Sequence, residues 1–278
     1  MPSTNPLTNN KESLAKVLRV VVLMYHRVGK AHNAWERKYC VTPERFTAHM
    51  HHLANRGMKA VDIDDFVAWT VGAKDLPGGS FLLTFDDGFY GIYEHAMPVL
   101  RELEWPATVF LVSSLLGQRD IWCEKENPSG QSYPLLGQAE IHKMRKQGFS
   151  FQCHSRTHAD LTKISDEIRW NEIAGARAEL EEVLGSAVPY LAYPYGRYNE
   201  RVVEITRTAG YRAGFSVQPG FNRPGIDPYK IRRLDVFGTD TPAQLMRKIN
   251  LGTNDGSLSY SIRYYLERLK SRVLGTPQ

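Results

Sequence analysis

Seven residues, Leu82-Leu83-Thr84-Phe85-Asp86-Asp87-Gly88, constrain this chain more than any other stretch. An apolar run stops abruptly at two adjacent carboxylates and a glycine. That is the look of a buried strand whose C-terminal end opens into a polar pocket, the place where α/β proteins build their sites. A strand followed by an Asp-Gly turn would give the same letters without chemistry. A second segment tips the balance. His154-Ser155-Arg156-Thr157-His158 also follows a short apolar strand, at residues 149–153, and brings two imidazoles. One carboxylate and two histidines from two strand ends are three protein ligands for a divalent metal. The fourth position is left to water, which is the form of a catalytic rather than a structural site.

The rest of the chain alternates between strand and helix signals. Residues 17–25 are nearly continuous in β-branched and apolar side chains, as in a strand buried on both faces, and end in His26 and Arg27. Thr42-Pro43-Glu44 opens a helix with a capping hydroxyl and a first-turn proline; Phe46, Met50 and Leu53 form its buried stripe. On that helix His49, His51 and His52 have no carboxylate pair nearby and are expected on a solvated face. Strands are expected at 59–63, 81–85, 107–112, 190–193, 212–217 and 230–236. Helices are expected at 64–70, 139–147, 165–184 and 200–209, with a further helix carrying Ile92, Ala96, Val99, Leu100 and Leu103. Residues 113–136 form a long irregular loop with Trp122 and Tyr133, the kind of segment that carries binding. Together with Tyr198, these aromatics could stack on a ligand or belong to the core. The alternation, with no internal repeat, allows a (β/α) barrel or a doubly wound sheet.

Composition narrows the class. With 278 residues, 42% of them hydrophobic, the chain can bury a full core as one domain. A formal charge of +5 is mild and no Lys/Arg block dominates, so nucleic acid is not an expected partner. Cys40, Cys123 and Cys153 are odd in number and lack Cys-x-x-Cys spacing. This argues against a disulfide framework and a zinc-thiolate site, and suits a reducing compartment. The first apolar run, at 20–25, is too short for a signal-peptide core or a membrane span, so a cytoplasmic location is expected. The C-terminal helix, expected at 259–274, has Ile262, Tyr265, Leu266, Leu269 and Val273 on one face, while Arg263, Arg268, Lys270 and Arg272 outnumber Glu267 elsewhere. It is expected to dock on the domain as an amphipathic helix. The alternative is peripheral contact with an anionic membrane or a partner.

The order Thr84-Phe85-Asp86-Asp87-Gly88, then His154-Ser155-Arg156-Thr157-His158, then Ala192-Tyr193-Pro194-Tyr195-Gly196 resembles the polysaccharide deacetylase family, the NodB-homology or carbohydrate esterase family 4 domain. The first two motifs match letter for letter and the third in part. The resemblance implies a distorted, incomplete (β/α)7 barrel, expected over 17–240; the residues themselves suggest a flexible tail at 1–16 and a helical extension at 241–278. It implies a metal-dependent hydrolase that removes N-acetyl groups from N-acetylhexosamine in a polysaccharide or lipid-linked sugar. Asp87, His154 and His158 would hold the metal and Asp86 would be the base. The backbone N–H of Tyr195 would stabilise the oxyanion, and Tyr193, Pro194, Tyr195 and Trp122 would meet substrate. An Asp/His/His set suits zinc, with nickel, cobalt, manganese or iron as alternatives.

Two departures shape the reading. The family arginine of the third motif falls on Ala192, and Arg233 is the substitute considered for it. No Leu-x-His follows the third motif, because the last histidine is His158. Members acting on poly-N-acetylglucosamine carry the acid histidine after the first strand, and Tyr25-His26-Arg27 is similar, so His26 is the expected general acid. Other readings are an amidase or deformylase acting on another sugar-lipid or non-sugar amide, and a non-catalytic carbohydrate-binding barrel.

Overall fold

The computed structural model describes residues 17–122 and 127–274, with side chains through residue 266. The expected tail at 1–16, Cys123, and the proposed faces of the last helix beyond residue 266 lie outside the described residues. Ten strands occur among the described residues: β1 (Val21–Tyr25), β2 (Arg27–Val28), β3 (Cys40–Val41), β4 (Lys59–Val61), β5 (Ser80–Phe85), β6 (Ala107–Leu111), β7 (Phe149–Cys153), β8 (Tyr190–Ala192), β9 (Ala213–Phe215) and β10 (Leu234–Asp235). Eight of them form one sheet in the order β10-β1-β5-β6-β7-β8-β9, with β4 also on β5. Every pairing is parallel. The first half of β5 pairs with β4 and its last two residues with β6, a split that distorts the barrel. Between β9 and β10 there is no strand pairing among the described residues; the Phe215–Ile231 bridge and the hydrogen bond from Arg233 N–H to the Gln218 carbonyl span the wall there. This is a half-closed barrel of the (β/α)7 NodB type, wrapped by helices and extended by helices at its C-terminus.

Burial explains why it holds. Val21, Leu23 and Tyr25 of β1 pack outward on the helix layer, while Val22 joins a second cluster with Leu82, Phe110 and Phe215. Both faces of the sheet are therefore buried, as the continuous apolar runs require. Phe66 and Trp69 of the helix Ile63–Thr70 belong to the same second cluster, so this helix plugs the barrel at the end opposite the site. Because all the strands run the same way, their C-terminal ends open together. That end delivers His26, Asp86, Asp87 and His154.

Several expectations are corrected. His49 is fully buried rather than solvated. It falls at i+3 from Phe46, on the same inward stripe as Met50 and Leu53. Its Nε2 lies 2.7 Å from the Asp240 carbonyl, which can only accept, so Nδ1 is the acceptor for Tyr25 OH at 3.0 Å. The helix expected at 165–184 is interrupted by a π-helical turn, Asn171–Gly175. The helix before β6 starts with another, Ile92–Ala96, where Pro98 has no N–H to continue the α ladder. The strand expected at 230–236 shrinks to β10, preceded by a 3-10 turn at Pro228–Lys230. In the part of the helix Leu258–Leu274 whose side chains are described, the apolar residues are not laid on the barrel: Leu258, Ile262, Tyr265 and Leu266 are each more than half exposed. It contacts the body through its first turns, where Ser261 is buried. No helix among the described residues is long and apolar enough to cross a membrane.

Candidate active site

The loops after β5 and β7 are shaped by unusual backbone. Among the described non-glycine residues only Asp87, Glu104, Ser155, His158 and Tyr195 have positive φ, between 55° and 71°, and four of these five belong to the site. Such left-handed conformations cost free energy and persist where the surroundings impose them. Gly88 follows Asp87 with φ 77°, and a Cβ there would come within 2.7 Å of the Leu111 Cδ2, so both backbone conformation and space favour glycine in the turn after Asp87. Ser155 is fully buried and its Oγ accepts from the His158 N–H at 3.0 Å, bracing the histidine loop. Glu172, presented by the π-helical turn, accepts from Arg156 N–H, Thr157 N–H and the Thr157 hydroxyl at 3.1, 2.9 and 2.7 Å. A buried carboxylate thus fastens the middle of the loop.

The three expected ligands converge. Nε2 of His154 lies 3.5 Å and Nε2 of His158 3.4 Å from Oδ1 of Asp87, and one donor atom from each residue fits within 4.8 Å of the others. Nδ1 of His154 sits 2.8 Å from the Ala192 carbonyl and must donate to it, which leaves the Nε2 lone pair facing Asp87. Burial pushes the His154 imidazole down to about 4 and His158 well below its ordinary value. Both are therefore neutral, as metal ligation requires. The donor set fits a divalent metal: two neutral imidazoles and one carboxylate, buried, at the open end of the barrel. Asp87, His154 and His158 form a metal-coordinating cluster.

Asp86 is held differently from its neighbour. Arg233 reaches it from beyond β9, with Nη1 and Nη2 donating to its two carboxylate oxygens at 2.6 and 2.8 Å. Nε of Arg233 donates to the Ser216 carbonyl at 2.9 Å, and the side chain is completely buried. Burial alone would raise the Asp86 carboxyl; the guanidinium outweighs it and holds the group at about 2. The fork-to-fork pair is the geometry that makes arginine and lysine non-equivalent.

A cavity of about 320 Å³ opens above these residues. Of the residues expected to meet substrate, Trp122 and Tyr195 line it. Their rings flank that of His158, with centroids 4.5 and 4.6 Å away. The structure does not bring Tyr193 or Pro194 to its wall: both are buried, and Tyr193 donates to the Tyr229 carbonyl and stacks on Tyr198 in the core. His26 lines the cavity, its ring 5.0 Å from that of Tyr39 and its Nδ1 without a hydrogen-bond partner among the described residues. Burial lowers the His26 imidazole, while Asp86 and Asp235 favour its protonated form. The sequence reading missed Trp35, Glu36, Tyr39, Asp120 and Asp235, which also line the cavity. The available signal was the stretch from Gly29 to Val41 between the first strand and its following helix, rich in aromatic and charged residues.

A family model described as polysaccharide deacetylase matches residues 73–214, just over half of the chain. The chain is 25% identical over 237 residues to a poly-β-1,6-N-acetyl-D-glucosamine N-deacetylase of Staphylococcus aureus, spanning 77% of each chain. It superposes on IcaB from Ammonifex degensii with a TM-score of 0.67 at 26% identity, covering 80% of this chain and 93% of that one. The Streptococcus pyogenes deacetylase PplD gives a TM-score of 0.72 at 20% identity, over 84% of this chain and 99% of that one, a likeness of fold.

Proposed function

The chain belongs to the polysaccharide deacetylase family, in the branch related to the IcaB-type enzymes, and is a metal-dependent deacetylase of N-acetyl sugars; from that premise we propose how its residues divide the work and which substrate they take. The meeting, in one cavity, of the Asp87/His154/His158 set with an arginine-paired Asp86 and with His26 carries this reading.

A divalent metal held by Asp87, His154 and His158 would polarise the acyl oxygen and acidify the attacking water. Zinc suits two neutral imidazoles and one carboxylate with an open position. Asp86 is the general base. Arg233 keeps it ionised and oriented, so it is available to take a proton from water as the oxygen adds to the acyl carbon. Arg233 does from beyond β9 what the missing third-motif arginine would do from position 192. The Tyr195 N–H, in the left-handed turn Pro194–Gly196, is the donor to the developing oxyanion. When the C–N bond breaks, His26 gives its proton to the departing amine, and acetate and a free hexosamine amine leave.

The proposed substrate is a polymer of N-acetylglucosamine, on the strength of the Staphylococcus aureus relative's own activity and of the placement of His26 after β1. The test is acetate release from N-acetylglucosamine oligomers. Activity should disappear when the metal is chelated and return with added zinc; chelation without effect would remove the metal from the mechanism.

A further inference from the structure

The segment from Gly29 to Val41 folds over one side of the cavity and is fastened there by an unusual buried acid. β2 pairs with β3, and a 3-10 turn, Glu36–Lys38, lies between them. Glu36 is only 4% exposed. Its carboxylate accepts from Arg27 Nη2 at 2.7 Å, just before the segment, and from the His32 N–H at 2.7 Å within it. Across the cavity mouth it accepts from Asn127 Nδ2 at 2.9 Å and the Tyr133 hydroxyl at 2.6 Å. The Arg27 guanidinium also lies 3.6 Å over the Tyr133 ring. One carboxylate thus ties this segment to the loop that carries Trp122.

What the fastened segment presents is apolar. Trp35 and Tyr39, on either side of the turn, line the cavity yet remain 39% and 38% exposed. Large aromatic faces held in water by a rigid support mark a binding surface more often than a scattered exposed side chain does. The position of Tyr39 says what binds. Its ring is next to that of His26, and His26 serves the departing amine, which belongs to the sugar and not to the acetyl group. The aromatic side of the cavity is therefore the sugar side.

We propose that Trp35 and Tyr39 form a sugar-stacking subsite for a hexosamine chain, holding the ring whose amide is cut and its neighbour, with Glu36 as the positioning residue that fixes the platform. This rests on the deacetylase reading above for the identity of the sugar side. The subsite makes the enzyme prefer a chain to a single sugar.

The test uses the metal-loaded protein and calorimetric titration with a glucosamine pentamer, which has no acetyl group to hydrolyse, against glucosamine as the single-ring reference. Trp35→Ala and Tyr39→Ala should each weaken pentamer binding by about three- to tenfold, with Trp35→Phe restoring most of it. On the acetylated pentamer the same variants should raise KM by a similar factor with kcat nearly constant, at unchanged metal content and Tm. Wild-type affinity for the pentamer in both alanine variants would overturn the subsite, as would a wild type that binds the pentamer no better than glucosamine. Absence of acetate release from any acetylated hexosamine would instead sink the deacetylase reading, and the pentamer titration would still decide the subsite.

Discussion

The floor and the roof of the cavity are built on opposite plans. On the floor, Asp86, Asp87, His154, His158 and Arg233 are all at most 7% exposed, set on strand ends and held in left-handed turns or by paired charges. On the roof, the aromatic rings of Trp35 and Tyr39 stand in solvent while the carboxylate that supports them is buried. Chemistry demands fixed positions and controlled protonation, which burial and strain supply. Recognition of a chain needs accessible apolar faces on a steady support. A change on the floor should therefore alter stability and turnover together, whereas a change on the roof should alter affinity.

The largest effect is expected at Arg233. Arg233→Ala leaves Asp86 as a buried charge without its partner, which costs about 3–5 kcal/mol of stability. It also lets the Asp86 carboxyl rise, so the acid limb of the pH–rate profile should move upward. Arg233→Lys should rescue only part of this, because an ammonium cannot match both carboxylate oxygens. Denaturant unfolding beside the pH–rate profile checks it. A variant with wild-type stability and an unmoved acid limb would show that the pair is not holding Asp86.

Acidification should act next, and on the floor rather than the roof. Burial pushes His154 in the site, and His49 on the helix packed outside β1, down to about 4, below the roughly 6.5 of an unfolded chain. Between those values the unfolded chain binds more protons than the folded one, so the stability these histidines support is present above pH 6.5 and is lost as pH falls towards 4. The metal-free protein should lose on the order of 1–2 kcal/mol for each histidine between pH 7 and pH 5. Equilibrium unfolding at the two pH values measures this, and a flat response would mean that these imidazoles titrate in the folded protein as they do in the unfolded chain. The smallest effects belong to the roof, where Trp35→Ala changes pentamer affinity by the modest factor expected above.

The same contrast decided what could be read from the sequence. The floor was legible because its chemistry needs particular letters at strand ends, and Asp86, Asp87, His154 and His158 stand at the ends of recognisable apolar runs. The barrel was legible through β/α alternation. Arg233 could be only a candidate, because its pairing with Asp86 spans 147 residues and no local pattern encodes it. The roof was opaque for a similar reason. Glu36 looks like any surface glutamate until Asn127 and Tyr133 are brought to it from elsewhere in the chain. For His49 two signals conflict: its polar side chain argues for solvent, while its spacing from Phe46 and Leu53 puts it on the buried stripe, and the periodicity wins. The π-helical turns leave the apolar spacing almost intact, so the helix at 165–184 read as continuous.

The most direct measurement is acetate release per bound metal ion by Asp86→Asn against wild type, with N-acetylglucosamine oligomers as substrate. Because the substitution leaves the buried Arg233 charge uncompensated, stability will drop, and rates must be taken on protein shown by circular dichroism to be folded and by elemental analysis to be metal-loaded. The account predicts that the variant keeps its metal and its fold at the assay temperature while turnover falls by about 10² or more. Folded, metal-loaded Asp86→Asn that releases acetate as fast as wild type would contradict the assignment of Asp86 as the base, and with it the division of labour between the two neighbouring carboxylates.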